Sequence, residues 1–311
     1  MKIGKVVADY VRYKQALKVQ FQTDAGHLAR FCQLVGSSRQ LSEVTETLVH
    51  EFLASRTTGH WYRKFAVLSG LNRFLAAHGY GALLPLPALK PRKTTDFVPY
   101  ILTRDEVAKL LAAIPRFCVS HVVPANTART TLLLLYGAAL RIGEALALTD
   151  DDVDLEEGVL TVCRTKFYKT RLVPVACPLH QELFRYVRWR NAQPFSSRSD
   201  SFLVDRKGRQ LKRGQIQYTF GRLRAQCNLL NPRTRRRPRL HDCRHSFAVT
   251  RLVTAYQRGE NVQDLLPKLA TYLGHASIAS TQRYLTLTPE LLEEACKRYE
   301  CYVFPEVRHE S

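Results

Sequence analysis

Apolar positions recur at helical spacing from the start of the chain to about residue 88. Val6, Val7, Tyr10, Val11, Ala16 and Leu17 make a stripe interleaved with Lys14 and Lys18, which predicts a helix over 6–19. Asp24 opens a second through Leu28, Phe31, Cys32 and Leu34, stopped by Gly36. Two more are predicted over 45–55 and 62–78, the latter carrying Phe65, Leu68, Leu71, Phe74 and Leu75 and ending at Gly79 and Gly81. Residues 84–95 then break the pattern with Pro85, Pro87, Pro91 and a cluster of bases. The boundary is placed there: a helical domain over 1–88, a basic linker over 89–98 and a second domain over 99–311.

The second domain opens on Thr103, a helix N-cap with Glu106 at the capping-box position, followed by Val107, Leu110, Leu111 and Ile114. A buried helix is predicted over 127–140 and another over 141–148. Arg141 interrupts that apolar stretch, so it is either paired or functional. Residues 158–163 and 170–175 are rich in β-formers and flank Lys166 as a hairpin; beyond them the pattern is mainly helical. The fold class expected is mainly α with a small antiparallel β-sheet, a helical N-terminal domain preceding a mixed α/β domain. The acidic run 150–157 lacks the glycine and alternating ligands of a calcium loop and reads as a solvated turn.

Charge narrows the partner. Forty-seven Lys and Arg against 27 Asp and Glu leave a formal +20, which points to a polyanion, nucleic acid above all. Residues 1–95 hold 14 bases and 5 acids, and 206–258 hold 15 bases and only Asp242. Backbone contacts to duplex DNA are expected from Lys90, Arg92, Lys93, Lys169, Arg171, Arg213, Arg235, Arg236 and Arg237. The eight cysteines contain no C-x-x-C pair and no zinc spacing, so no metal site is expected. Met1 to Lys5 lacks the apolar run of a secretory leader, and no stretch approaches the length of an apolar membrane span, which together read as a cytoplasmic protein, nucleoid-associated when bound to DNA.

Four short motifs carry chemistry: Leu140-Arg141-Ile142-Gly143-Glu144, His241-Asp242-Cys243-Arg244, Leu273-Gly274-His275, and Tyr284. Two guanidinium forks suit the nonbridging oxygens of a five-coordinate phosphorus, histidines move protons near neutrality, and a phenol is an oxygen nucleophile. His241 and Arg244 share a helix face, whereas His245 reads as turned off it. Glu144 and Asp242 read as orienting groups for the arginines and histidines.

These motifs, in this order and at these spacings, resemble the tyrosine recombinase (phage integrase) family over roughly 99–290, with the first 90 or so residues similar by position and composition to that family's helical core-binding domain. The resemblance implies an integrase-type catalytic domain with Arg141, Lys166, His241, Arg244, His275 and Tyr284 as catalytic residues. Tyr284 stands nine residues past His275, whereas Tyr299 and Tyr302 lie too far on to fit. Lys166 on the hairpin would protonate the leaving sugar oxygen, and His241 would carry the tyrosine's proton. Ala139, where glycine is frequent, and Cys243, where leucine is usual, leave every reactive group present. The resemblance further implies a 3′-phosphotyrosyl intermediate formed without metal, ATP or cofactor. It implies a homo-tetramer on paired DNA sites, built by exchange of a C-terminal segment over 289–311, with accessory or sister recombinases as further partners. Two other readings share these residues: type IB topoisomerase-like relaxation, and a decayed integrase acting as a DNA-binding regulator.

Overall fold

The computed structural model describes residues 1–17, 21–92, 98–117, 122–163, 170–197, 199–232, 234–275, 277–287, 293 and 296. The chain divides into two compact units, Met1–Phe97 and Val98–Ser311.

In the first unit the helices are α1 (Ile3–Ala16), α2 (Gln22–Val35), α3 (Glu46–Leu53) and α4 (Thr58–Ala77). Thr45 and Thr57 cap α3 and α4 by accepting from the backbone N–H groups of Leu48 and His60. The Thr57 cap explains why α4 begins earlier than its apolar stripe. Ile3, Val6, Leu28, Phe31, Leu53, Leu68, Leu71 and Leu75 are buried together as the core. Part of the proline-rich stretch folds back on this core. Leu84 exchanges two hydrogen bonds with the Asn72 amide, each 2.9 Å, and the Pro91 carbonyl accepts from the Tyr62 hydroxyl at 2.8 Å.

The second unit contains α5 (Arg104–Phe117), α6 (Ala125–Gly137), α7 (Ile142–Ala147), β1 (Val153–Asp154), β2 (Val159–Val162), β3 (Arg171–Pro174), α8 (Cys177–Asn191), α9 (Arg213–Gln226), α10 (Leu240–Gln257), α11 (Val262–Leu273) and α12 (Ala279–Leu287). The capping box at Thr103 forms: the Thr103 N–H donates to Glu106 at 2.9 Å and the Glu106 N–H to the Thr103 hydroxyl at 3.2 Å. The strands make an antiparallel sheet in the order β1-β2-β3, with Val159 opposite Pro174 and Leu160 opposite Val173. Strand β1 comes from the middle of the acidic run, whose charge hid it. Helix α6 is central, packed against α5, α8 and α10. Its burial on several faces follows from Ala128, Thr131, Leu132, Leu134 and Leu135, which leave few polar side chains to face water.

The helix break after α6 prepares the site. Ala139 takes a left-handed φ of +51°, and Arg141 becomes the N-cap of α7 rather than an intruder inside a helix. A left-handed residue is the conformation glycine favours, which accounts for the glycine often found there. Among the described residues no helix is long and apolar enough to cross a membrane.

Candidate active site

Glu144 organises the centre of the second unit. Its carboxylate accepts from Arg141 Nη1 at 2.7 Å and from the Arg141 backbone N–H at 2.9 Å, and takes Arg171 Nη1 and Nη2 at 3.1 and 2.8 Å. Arg244 Nη1 stands 3.8 Å from the same carboxylate. Three guanidiniums therefore surround one anion whose side chain is only 8% exposed. Burial alone would raise the Glu144 pKa, but the hydrogen bonds from Arg171 and Arg141 outweigh it and hold the group at about 2.

Arg244 is 1% exposed. It spans two chain segments, donating through Nη1 to the Ala139 carbonyl at 2.6 Å and through Nη2 to the Leu273 carbonyl. The left-handed turn at Ala139 aims that first carbonyl. Burial, then the neighbouring Arg141, lowers the Arg244 pKa to about 9, which keeps it charged at neutral pH. Arg141 is more open, with 35% of its side chain exposed, and its Nη2 donates to the Gly274 carbonyl at 3.1 Å. Gly274 ends α11 in the left-handed conformation, φ +64°, and a Cβ there would stand 2.8 Å from Arg171 Nη1. Glycine is thus required by both the backbone angle and the close approach of Arg171.

Helix α10 carries His241, Arg244 and His245. Asp242, buried on its first turn, accepts from the Arg239 N–H at 2.7 Å and from Arg239 Nη2 at 3.0 Å, closing the helix start. The His241 and His245 rings meet edge to face at 4.6 Å. Nδ1 of His245 is hydrogen-bonded to the Tyr284 hydroxyl at 3.0 Å, and Nδ1 of His275 to the Thr281 hydroxyl at 2.8 Å. Tyr284, on α12, is 6% exposed and packs with Ala139, Val249, Leu252 and Leu273. Burial first, then neighbouring arginines and, for His245, the His241 imidazole, lowers all three histidines: His241 below its usual range, His275 to about 4 and His245 to about 3. All three imidazoles are neutral near pH 7.

An open cleft of about 550 Å³ borders this centre at Arg141 and His241, and Arg213, Gln217, Arg224 and Arg239 also line it. Four arginines make its wall basic. The sequence model of the Phage integrase family matches residues 101–290, the span that contains every one of these groups. The chain belongs to the phage integrase family of tyrosine-type site-specific recombinases. The recombinase is 35% identical over 303 residues to a putative integrase/recombinase of Sinorhizobium fredii, 95% of each chain being covered. It is 34% identical over 211 residues to the tyrosine recombinase XerA of Thermococcus kodakarensis, covering 67% of this chain and 65% of that one. In three dimensions it is similar to XerH bound to a palindromic difH substrate, with TM-score 0.66, 19% identity and 96% of both chains covered. It is also similar to the Tn1549 transposon integrase on circular intermediate DNA, with TM-score 0.68, 19% identity and 96% and 99% covered. At such identities these two likenesses speak to the fold.

Of the groups read from the recombinase sequence, Arg141, Glu144 and Arg244 are joined by the ion pairs above, while His241 meets the His245 ring, Tyr284 bonds His245, and the His275 ring lies 6.4 Å from that of Tyr284. Asp242 bonds Arg239 and the start of α10 rather than the arginines read as the clamp. Arg171, read as a DNA contact, is only 10% exposed, and its donors go to Glu144 and to the Tyr272 carbonyl at 3.0 Å, so it braces the site. Lys90, Arg92, Arg213, Arg235, Arg236 and Arg237 are exposed, Lys90 lying over the Phe65 ring at 4.6 Å and Arg213 Nη2 lying 3.3 Å from where a Gly143 Cβ would stand. Lys93, Lys166 and Lys169 lie outside the described residues. His245 is a correction: instead of turning off the face of His241 it meets that ring and bonds the Tyr284 hydroxyl. Positions 241, 244 and 245 are i, i+3 and i+4, which one helix face gathers, so the spacing itself carried the signal that His245 faces the site.

Proposed function

We propose that this recombinase breaks and rejoins duplex DNA through a 3′-phosphotyrosyl bond to Tyr284, without metal or ATP. Tyr284 Oη forms a bond to phosphorus as the bond from phosphorus to the 5′-oxygen breaks. Arg141 and Arg244 hold the nonbridging oxygens, where charge accumulates. His275 donates to the same phosphate, and His241, exposed beside Arg141 at the cleft, exchanges protons there. Lys166 delivers a proton to the departing 5′-oxygen. The free 5′-hydroxyl of a partner duplex then attacks the ester, which retains the energy of the broken bond, and strands are exchanged.

The observation that carries this reading is the Glu144 cluster. A carboxylate buried among three guanidiniums fixes Arg141 and Arg244 in orientation before any phosphate arrives, which is the preorganisation such a transition state needs. The net charge of +20 and the basic cleft support duplex DNA as the partner, and XerH and the Tn1549 integrase carry DNA in their solved complexes. The helical first unit would serve as the second hand of a clamp around the duplex. Residues 289–311, almost all outside the described residues, would dock on a neighbouring copy to build a tetramer on two sites. The enzyme would act in the cytoplasm on the nucleoid, with accessory or sister recombinases as further partners.

The test is covalent capture. Nicked duplexes drawn from a randomised pool and selected on the wild-type protein should yield a protein–DNA adduct, and Tyr284→Phe should bind the same duplexes and yield none. An adduct in Tyr284→Phe rules out this nucleophile. Relaxation of any supercoiled plasmid with no joined products between two selected sites would instead point to topoisomerase activity, and binding with no adduct to a decayed regulator.

A further inference from the structure

The nucleophile's oxygen is bonded to a histidine outside the set read as catalytic. Nδ1 of His245 stands 3.0 Å from Tyr284 Oη, within the reach that proton transfer requires. The two rings meet at 63° with centroids 5.5 Å apart, so the imidazole edge rather than its face addresses the hydroxyl. We propose that His245 is the base that accepts the Tyr284 phenol proton during attack on phosphorus, leaving His241 to the phosphate oxygens. This rests on the reading of Tyr284 as the nucleophile.

The step balances within the site. Oη–P forms, the bond from phosphorus to the 5′-oxygen breaks, the phenol proton passes to Nδ1 of His245, and the leaving oxygen takes its proton from the general acid, the role proposed for Lys166. In the return step the leaving tyrosine recovers its proton from His245. The tautomer required is the one with the Nδ1 lone pair free to accept, the imidazole proton being on Nε2.

The surroundings make this base conditional on substrate. His245 is half-buried, and the groups that act on it are His241, Arg239 and Arg244 from its own helix, His275 from the end of α11 and Tyr284 from α12. Burial comes first and these positive or protonatable neighbours next, holding the imidazole at about 3 in the free protein, where it is neutral but a weak base. A scissile phosphate held between Arg141 and Arg244 brings negative charge into the same cluster and offsets the arginines' field. The imidazole's proton affinity is then higher with a phosphate bound than without one. A tyrosine buried at 6% exposure is thereby kept as an unreactive phenol between reactions.

The test measures the rate of adduct formation against pH on the captured nicked duplexes, with wild type, His245→Asn, His241→Asn and Tyr284→Phe. Asparagine keeps a hydrogen-bonding side chain but cannot take the proton. The expected result is that His245→Asn binds the duplex as wild type does yet forms adduct about 10²- to 10⁴-fold more slowly, the range of a lost general base. The acid limb of the wild-type profile should vanish in His245→Asn and survive in His241→Asn, a difference that a packing role would not produce. His245→Ala supplies a second variant, in which added imidazole should restore the rate. The proposal is overturned if folded His245→Asn forms adduct within roughly threefold of wild type, well below the effect of a general base, or if the acid limb disappears with His241→Asn instead. If His245→Asn does not fold, lack of imidazole rescue in His245→Ala overturns it. An adduct that persists in Tyr284→Phe strikes at the nucleophile, and so is distinguishable from failure of His245 alone.

Discussion

Arg171 and Glu144 form a two-pronged ion pair, at 3.1 and 2.8 Å, between the start of β3 and the first turn of α7. The pair ties the sheet to the helix that presents Arg141. Arg171 also reaches the Tyr272 carbonyl, so one guanidinium braces α7, β3 and the end of α11 together.

Acid should loosen this tie. Glu144 is held at about 2 against an ordinary 4.5, with burial opposing and the Arg171 and Arg141 hydrogen bonds prevailing. Its folded pKa lies below its unfolded one, so the stabilisation is complete above pH 4.5 and is lost as pH falls towards 2. The full contribution is on the order of 3 kcal/mol, of which about 2 kcal/mol should disappear between about pH 5 and about pH 3. Urea unfolding of wild type and Glu144→Gln checks this: their difference in stability should narrow by that amount over the window. A constant difference would mean that the carboxylate is not held down by its arginines.

Arg141 and Arg244 should separate catalysis from stability. Arg141 is a third exposed, so Arg141→Lys should melt near wild type while adduct formation falls by about 10²- to 10³-fold, the cost of a preorganised donor. Arg244 joins two carbonyls and faces Glu144 while fully buried, so Arg244→Ala should lose about 3–5 kcal/mol of stability as well as activity. Thermal melting beside adduct kinetics distinguishes the two; an Arg141 variant that melts as low as the Arg244 variant would contradict the division.

Leaving-group chemistry isolates Lys166. A 5′-bridging sulfur leaves without protonation, so such a duplex should restore adduct formation to Lys166→Ala and not to Arg141→Ala. Failure of both alike would remove the general-acid role.

The exposed arginines before α10 should appear in the salt dependence. Binding is expected to weaken with a log–log slope of about −0.9 per phosphate neutralised, and changing Arg235, Arg236 and Arg237 singly to serine should each reduce the slope magnitude by about 1 where that side chain touches a phosphate. Titrations at several salt concentrations read this directly, and an unchanged slope in all three variants would move the contact elsewhere.

Most of the element pattern was legible along the chain, because amphipathic stripes, caps and hairpin alternation are local. The helix stripes of the first unit, the Thr103 capping box and the β2–β3 hairpin all rest on residues within a few positions of one another. What misled was also local: the acidic run concealed β1, and the apolar stretch carried the first of two helices on to 140, where the structure ends α6 at Gly137 before a left-handed Ala139.

By itself, the sequence determined which reactive groups this recombinase carries and in what order, since the spacing of Arg141, His241, Arg244, His275 and Tyr284 is a property of the chain. Only the tertiary structure decided their partners. Arg171 looked like one more base among many until Glu144, 27 positions earlier, and the Tyr272 carbonyl, 101 positions later, were seen to take its donors. His245 became the neighbour of Tyr284 only because α10 and α12 pack together, 39 positions apart in sequence. Charge and residue type are written along the chain, but whether a side chain meets solvent, a carboxylate or a phenol depends on non-local packing, which no window of neighbouring residues contains.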